Sequence, residues 1–166
     1  MAENSKVSAI DALDRAILQE LQANGRISLA DLARQTSLSP PAIHARLKRL
    51  EQQGFIRAYV TLLNWEAVGY DMMCFVHVSM QVHQLEAVNN FRAAVSQMPE
   101  VLECHHVTGE YDYLLKVAIR NRQDLERFLM DQLTPIKGIS RIHTSLVLNE
   151  VKFTTHLPLD QDIPDG

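Results

Sequence analysis

The chain has 166 residues, of which 46% are hydrophobic and 22% are charged, an ordinary composition for one large domain or two small ones. No apolar run approaches the roughly 20 residues of a membrane helix, and the first six residues lack the apolar core of a secretory signal, so we expect a cytoplasmic protein with no membrane partner. Two cysteines are too few for a disulfide framework. The net charge of −4 argues, on its own, against a nucleic-acid partner.

The charge is distributed unevenly along the chain. Residues 1–63 carry eight basic and six acidic side chains, a net charge of +2, whereas the remainder carries eight basic and fourteen acidic ones, a net charge of −6. Between Arg34 and Arg57 there are five bases and one acid. Such a local concentration is typical of a phosphate-binding surface, but a solvated helix face has the same pattern. Charge alone leaves both interpretations open.

Three helices are predicted in the N-terminal third. Apolar residues recur at helical spacing over residues 11–23. Ser28, followed three residues later by an acid, starts a second helix over 29–36. Ser39 precedes two prolines, which are tolerated in a first helical turn, and starts a third helix over 40–52. Two short helices joined by a tight turn predict a helix-turn-helix.

The third helix has two different faces. Its apolar stripe, which includes Ile43, Leu47 and Leu50, can pack on the other helices, while the opposite face is small at its start and basic at its end. That face suits insertion into a major groove of double-stranded DNA, although an ordinary amphipathic helix with a solvated basic face remains the alternative. The helix-turn-helix is expected over residues 29–48. The candidate DNA-binding residues, which include the residue directly after this range, are Ser39, Pro41, His44, Ala45, Arg46, Lys48 and Arg49.

Residues 54–63 alternate enough to predict a strand that begins a wing or linker. With this strand, the N-terminal part resembles the winged helix-turn-helix of the Lrp/AsnC family of bacterial and archaeal transcription regulators. The matching motifs are Leu13-Asp14, Asn24-Gly25-Arg26-Ile27-Ser28, Leu38-Ser39-Pro40 and the run from Arg46 to Ile56.

The C-terminal two thirds alternate between strand and helix patterns in the order βαββαβ. This order predicts a ferredoxin-like antiparallel sheet with both helices on one face. The chain as a whole is therefore expected to be α+β, with a winged helix-turn-helix domain over 1–63, a ferredoxin-like domain over 64–157 and a flexible tail over 158–166. The predicted elements are strands 71–80, 101–107, 113–119 and 142–152, and helices 85–98 and 121–133.

This second part also resembles the effector-binding and oligomerising domain of the Lrp/AsnC family. The resemblance is carried by the turn Gly109-Glu110-Tyr111-Asp112 and by the last strand, Thr144 to Lys152. It implies a transcription regulator that binds double-stranded DNA, forms a homodimer assembling to an octamer, and responds to an amino acid held between protomers. Ile142 stands where some relatives have threonine, which favours an apolar effector such as leucine or methionine.

The turn has chemistry that suits a zwitterion. Gly109 allows close backbone approach to a carboxylate, and Asp112 is an acceptor for an ammonium group. Glycine and aspartate are also what a tight strand connection requires, so a purely structural turn is the alternative. The candidate effector-binding residues are His106, Gly109, Glu110, Tyr111, Asp112, Thr144, Ser145, Leu146 and Val147.

Cys104 and His106 share one face of a predicted strand, with His105 between them. Their spacing does not complete a metal-ligand set, and a buried thiol is expected instead. No orienting carboxylate, oxyanion hole or phosphate-binding glycine loop is recognisable, so we expect no cofactor and no catalysis. The rival hypothesis is a ferredoxin-like ligand-binding protein or metabolic enzyme whose helical domain contacts protein.

Overall fold

The computed structural model describes residues 10–81 and 85–159. The chain divides into two compact units: the first runs to Leu62 and resumes at Lys152, and the second is Leu63–Val151. The first boundary lies one residue from the predicted one. Residues 152–157, expected in the ferredoxin-like domain, group instead with the helical unit. Most of the tail predicted over 158–166 lies outside the described residues.

The first unit contains three helices where the sequence predicts them. They are α1 (Ala12–Ala23), α2 (Leu29–Thr36) and α3 (Pro40–Gln52). Asp11, Ser28 and Ser39 precede them as N-caps, and each side chain accepts a backbone N–H of the first turn, which satisfies a donor that the helix itself leaves unpaired. The helices pack around fully buried side chains, Ile17, Leu32, Ile43 and Leu50.

The turn between α2 and α3 depends on one left-handed residue. Ser37 has φ 56° and ψ 32°, and the next amide, Leu38 N–H, donates to the Ala33 carbonyl at 3.0 Å. This closes the C-terminus of α2 in two residues. The short connection brings α3 back across α2, as a helix-turn-helix requires.

The strand predicted over 54–63 does not form within the chain. Residues 57–63 are exposed, including Tyr59 at 53%, Val60 at 73% and Leu63 at 67%. Phe55 and Ile56 are half-buried against the core of the helical unit. A strand requires a hydrogen-bonded neighbour, and no other strand in the described part of the chain pairs with this segment. The Tyr59 hydroxyl donates to Glu51 at 3.0 Å; desolvation and this interaction raise the pKa of Tyr59 to about 12.

The segment that resumes at Lys152 contacts Gln22 of α1. The Gln22 amide donates to the Leu157 carbonyl at 3.1 Å, and its oxygen accepts the Leu157 amide at 2.7 Å. The His156 ring also donates to the Gln22 carbonyl. A glutamine amide thus pairs with a peptide group in both directions, as a neighbouring strand would.

The second unit is an antiparallel sheet with the strand order β2-β3-β1-β4, covered by helices on one face. This confirms the predicted ferredoxin-like βαββαβ order. None of the helices in residues 10–81 and 85–159 is long and apolar enough to cross a membrane. The elements are β1 (Met72–Met80), α4 (Leu85–Val95), β2 (Val101–His106), β3 (Tyr113–Ile119), α5 (Arg122–Arg127), a π-helical continuation (Phe128–Leu133) and β4 (Ile139–Leu146).

Strand alternation divides the sheet into two faces. Cys74, Val76 and Val78 of β1 are fully buried and pack with Phe91 and Phe128 of the covering helices. On the opposite face the side chains between them, among them the 37% exposed Phe75 and the half-buried His77, have no helix above them. We call this side the open face of the sheet.

Two C-terminal elements differ from their predicted form. β4 was expected over 142–152 but covers Ile139–Leu146. It pairs only with β1, in which Cys74 is opposite Leu146, and β1 begins two residues before Cys74, so few residues beyond Leu146 have a partner. At the other end of β4, a bulge at Ser79/Met80 extends the pairing back to Ile139. The last helix changes from α to π geometry at Phe128, which apolar spacing does not reveal.

A glycine substitution tests the packing of the second unit. Gly138 has φ +96°, and an added Cβ would lie 3.1 Å from the Ala87 Cβ and 3.2 Å from the Met80 Cε. We expect Gly138→Ala to lower the free energy of unfolding by about 1–3 kcal/mol in urea denaturation, because strain and overlap act together. Gly25→Ala is the control, since its nearest atom is the Leu21 carbonyl oxygen at 3.9 Å. Equal stability of the two variants would contradict the packing described.

Candidate DNA interface and effector site

The outward face of α3 is built from small and polar side chains. Ser39, Pro41, His44, Ala45 and Lys48 are exposed. The opposite side of the helix is anchored by Ile43 and Leu50, which have no exposed surface. The face therefore has small side chains at its start, as the sequence predicts, and one exposed lysine toward its end, where the sequence predicts both Lys48 and Arg49.

Two of the predicted DNA-binding arginines contact an aspartate of α1 instead of facing outward freely. The Asp14 side chain has no exposed surface. Arg46 donates to it at 2.8 Å and to Asp11 at 2.7 Å, and Arg49 forms a short ion pair with the other oxygen of Asp14. Asp14 and Asp11 also cap α1 reciprocally, each accepting the backbone N–H of the other.

This network affects both protonation and available charge. Desolvation acts to raise the pKa of Asp11, but the hydrogen bonds from Arg46 and the Asp14 amide outweigh it and the pKa is lowered. The hydrogen bonds to Asp11 and Asp14 raise the pKa of Arg46. The four side chains together are neutral. Arg46 and Arg49, both predicted to contact DNA, are therefore paired within the helical unit, because a buried carboxylate requires paired cations.

The other basic residues between positions 34 and 57 provide less unpaired positive charge than the sequence suggests. Arg34 pairs with Asp31 one helical turn away. Lys48 and Arg57 are exposed and form no ion pair with the described residues. A signal for the network exists in the sequence, since Asp14 falls on the same helical stripe as Ile17 and Leu21. A carboxylate on an apolar stripe predicts a buried partner.

The candidate effector turn connects β2 to β3 and touches β1. Gly109 has φ +121°, a conformation that favours glycine. The Asp112 amide donates to the Val78 carbonyl at 3.0 Å. Its carboxylate accepts the Met80 amide at 2.7 Å. Asp112 thus anchors the turn to the end of β1, in addition to any part it plays toward a ligand.

Tyr111 carries an aromatic and charged cluster on the open face. Its ring centroid lies 4.8 Å from that of His77 and 6.1 Å from that of His143. The Arg141 guanidinium is 4.7 Å from the Tyr111 centroid and donates to Glu110 at 2.8 Å. These contacts bring the turn together with β4, the strand that the sequence associates with the effector, and with β1, which the sequence does not associate with it.

The predicted effector residues lie on two sides of the sheet. Ser145 is opposite Phe75 on the open face, whereas Thr144 is opposite the buried Val76. His106 stacks on Tyr113, with centroids 5.0 Å apart, on the side covered by helices. Leu146 also falls on that side, opposite Cys74, and the Val147 amide donates to the Met73 carbonyl at 2.9 Å. Consecutive strand residues alternate, so the set cannot line one simple pocket within a single chain.

The two cysteines occupy different environments. Cys74 is buried and Cys104 is exposed, so the expectation of a buried thiol at Cys104 is wrong. β2 is an edge strand, which leaves its side chains less covered. Partial desolvation raises the pKa of Cys104 although the nearby Arg92 acts to lower it. Within the described ranges, no group of His, Cys, Asp and Glu is arranged to hold a metal ion.

The role of Asp14 can be tested by its removal. Asp14→Ala removes the buried partner of two partly exposed arginines, and we expect a loss of about 1.5–3 kcal/mol in the unfolding free energy of the helical unit. Asp31→Ala, which removes the exposed partner of Arg34, should change stability little. Thermal and urea unfolding monitored by circular dichroism would distinguish them; an Asp14→Ala protein as stable as Asp31→Ala would contradict the assignment.

Comparison with known proteins agrees with both units. The family model described as winged helix-turn-helix DNA-binding matches residues 10–57. The model described as Lrp/AsnC ligand binding domain matches residues 73–157. The curated relatives include the leucine-responsive regulatory protein of Haemophilus influenzae, 37% identical over 95% of each chain, and that of Escherichia coli K12, 36% identical over 89% of this chain and 90% of its own.

Solved structures show the same fold. A transcriptional regulator of Neisseria meningitidis in complex with L-Met is 39% identical, with a TM-score of 0.86 over 91% of this chain and 97% of its own. Escherichia coli AsnC is 31% identical, with a TM-score of 0.82 over 90% of this chain and 100% of its own. These relatives are transcriptional regulators and not enzymes, as expected. Because the agreement covers nearly the whole sequence, the chain belongs to the Lrp/AsnC family of DNA-binding transcriptional regulators.

Proposed function

We propose that DNA binding or assembly of this regulator responds to an amino acid bound near the turn Gly109–Asp112. The observation that carries the proposal is the turn itself, in which a glycine at φ +121° is followed by a carboxylate tied to the end of β1. Backbone N–H groups near such a glycine suit a carboxylate, and Asp112 suits an ammonium group. The 39% identical Neisseria meningitidis regulator in complex with L-Met supports an apolar amino acid.

On DNA, α3 is proposed to enter the major groove with its exposed face. Pro41 and Ala45 are small enough to approach base edges, and His44 is a polar reader near the start of the helix. Lys48 is placed to contact phosphate. Because one polar reader discriminates poorly among bases, much of the sequence preference should come from DNA shape and bending.

The working state is proposed to be a homodimer that assembles to an octamer. Two copies would place two α3 helices about 34 Å apart, one turn of the duplex. The exposed apolar side chains of the linker, Tyr59, Val60 and Leu63, support this together with Phe75 on the open face of the sheet, because exposed apolar surface favours association with a second chain. We place the protein in the cytoplasm, where chromosomal DNA is accessible to a bacterial or archaeal regulator.

Because Arg46 belongs to the charge network and Lys48 does not, we expect their alanine variants to affect different properties. Lys48→Ala should weaken binding to all duplexes and reduce the slope of log affinity against log salt by about one per protomer. Arg46→Ala should instead lower the unfolding temperature, because it leaves Asp11 and Asp14 short of a partner. Fluorescence anisotropy over a salt series, paired with thermal unfolding, measures both. An unchanged salt slope in Lys48→Ala would remove Lys48 as a phosphate contact.

The effector proposal is tested by a thermal-shift panel of amino acids on the full chain. We expect L-Met or L-Leu to raise the unfolding temperature, and Asp112→Asn to abolish the shift while keeping an acceptor for the Met80 amide. Asp131→Asn, an exposed neutralisation in the last helix, is the matched control and should respond like the parent. Stabilisation by no amino acid would refute the effector class, and an unchanged response of Asp112→Asn would move the site elsewhere.

A further inference from the structure

We propose that a second ligand site, for a small aliphatic monocarboxylate, lies in the cleft between α4 and the edge strand β2. The cleft has a volume of about 600 Å³ and opens along the edge of the sheet, a size suited to small organic ligands. It lies on the helix-covered side, whereas the ring of Tyr111 lies on the open face. The cleft is therefore separate from the turn cluster around Tyr111, and it includes His106, which the sequence predicts as an effector residue.

Arg92 provides the positive charge of the cleft. Its Nε donates to the Tyr113 hydroxyl at 3.2 Å, and its guanidinium carbon lies 5.9 Å from the centre of that ring. Tyr113 is only 3% exposed and packs on Phe91 with centroids 4.6 Å apart. The ring therefore holds one edge of the guanidinium in place. Arg92 forms no ion pair with a carboxylate of the described residues, which leaves its charge available to an anion.

His106 provides a second polar group above the same ring. Its imidazole stacks on Tyr113 with an interplanar angle of 28° and borders the cleft. An imidazole N–H can donate to a carboxylate that Arg92 binds. Two donors that are both positioned by one buried ring form a preorganised anion site.

The rest of the cleft selects among anions. Val95, Val101 and Leu102 provide apolar surface, which suits a short aliphatic chain and not inorganic phosphate. Glu103 borders the cleft, but its carboxylate contacts His105 at 2.9 Å and Lys116 at 3.4 Å. The hydrogen bond from His105 is the main cause that lowers the pKa of Glu103, with Lys116 assisting against desolvation. With that carboxylate already paired, the ammonium group of an amino acid has no counter-charge here.

The test compares three ligands by titration calorimetry on the full chain: 3-methylbutanoate, valine, which is the same skeleton with an ammonium group, and inorganic phosphate. We expect 3-methylbutanoate to bind at least tenfold more tightly than the other two. Arg92→Gln should weaken it at least tenfold, while Arg127→Gln, an exposed α5 arginine paired with Asp124, should not. Asp112→Asn should leave it unchanged, which separates this site from the proposed amino-acid site.

A second measurement uses the parent protein alone. Cys104 borders the cleft and is exposed, whereas Cys74 has no exposed surface. Bound 3-methylbutanoate should therefore slow the reaction of Cys104 with a thiol reagent severalfold. Equal affinity in Arg92→Gln, equal binding of phosphate, or an unprotected Cys104 at saturating ligand would each overturn the proposal.

Discussion

The helical unit is organised around a single buried carboxylate. Asp14 has no exposed surface and pairs with Arg46 and Arg49 of α3. A buried charge is tolerated only when it is paired, so α1 and α3 are held in a fixed relation by a contact that neither helix could form alone. The same contact neutralises positive charge on α3. Position and charge of α3 are thus set together.

Local signals predicted the helices well because their causes are local. The side chains of Asp11, Ser28 and Ser39 accept hydrogen bonds from amides only three residues ahead, so the start of each helix depends on neighbouring residues alone. Proline is tolerated in the first turn of a helix, so the two prolines after Ser39 also mark a helix start. The failures concern pairing over long sequence distances. Whether 54–63 becomes a strand depends on a neighbour, and where β4 ends depends on where β1 begins. The partner of Asp14 is likewise separated from it by more than thirty residues, although the apolar stripe it occupies indicated that a partner was needed.

The candidate effector residues show a limit of reasoning from resemblance. A motif places residues near one another in sequence, but the pleat of a strand sends Thr144 and Ser145 to opposite faces. The open face gathers Tyr111, His77 and His143, while the covered side gathers His106 with Arg92 on the buried Tyr113. The two groups therefore lie on different sides of one sheet, as the alternation of strand side chains requires.

The return of the chain to α1 has a consequence for biogenesis. The helix-turn-helix is complete in sequence by Leu62, yet Gln22 finds its partners at His156 and Leu157, after the whole of the second unit has been synthesised. Domains generally fold in order of emergence from the ribosome. Here the helix-turn-helix is synthesised first, but its contacts with His156 and Leu157 can form only at the end of synthesis. A nascent chain would therefore carry a DNA-binding unit that still lacks these contacts.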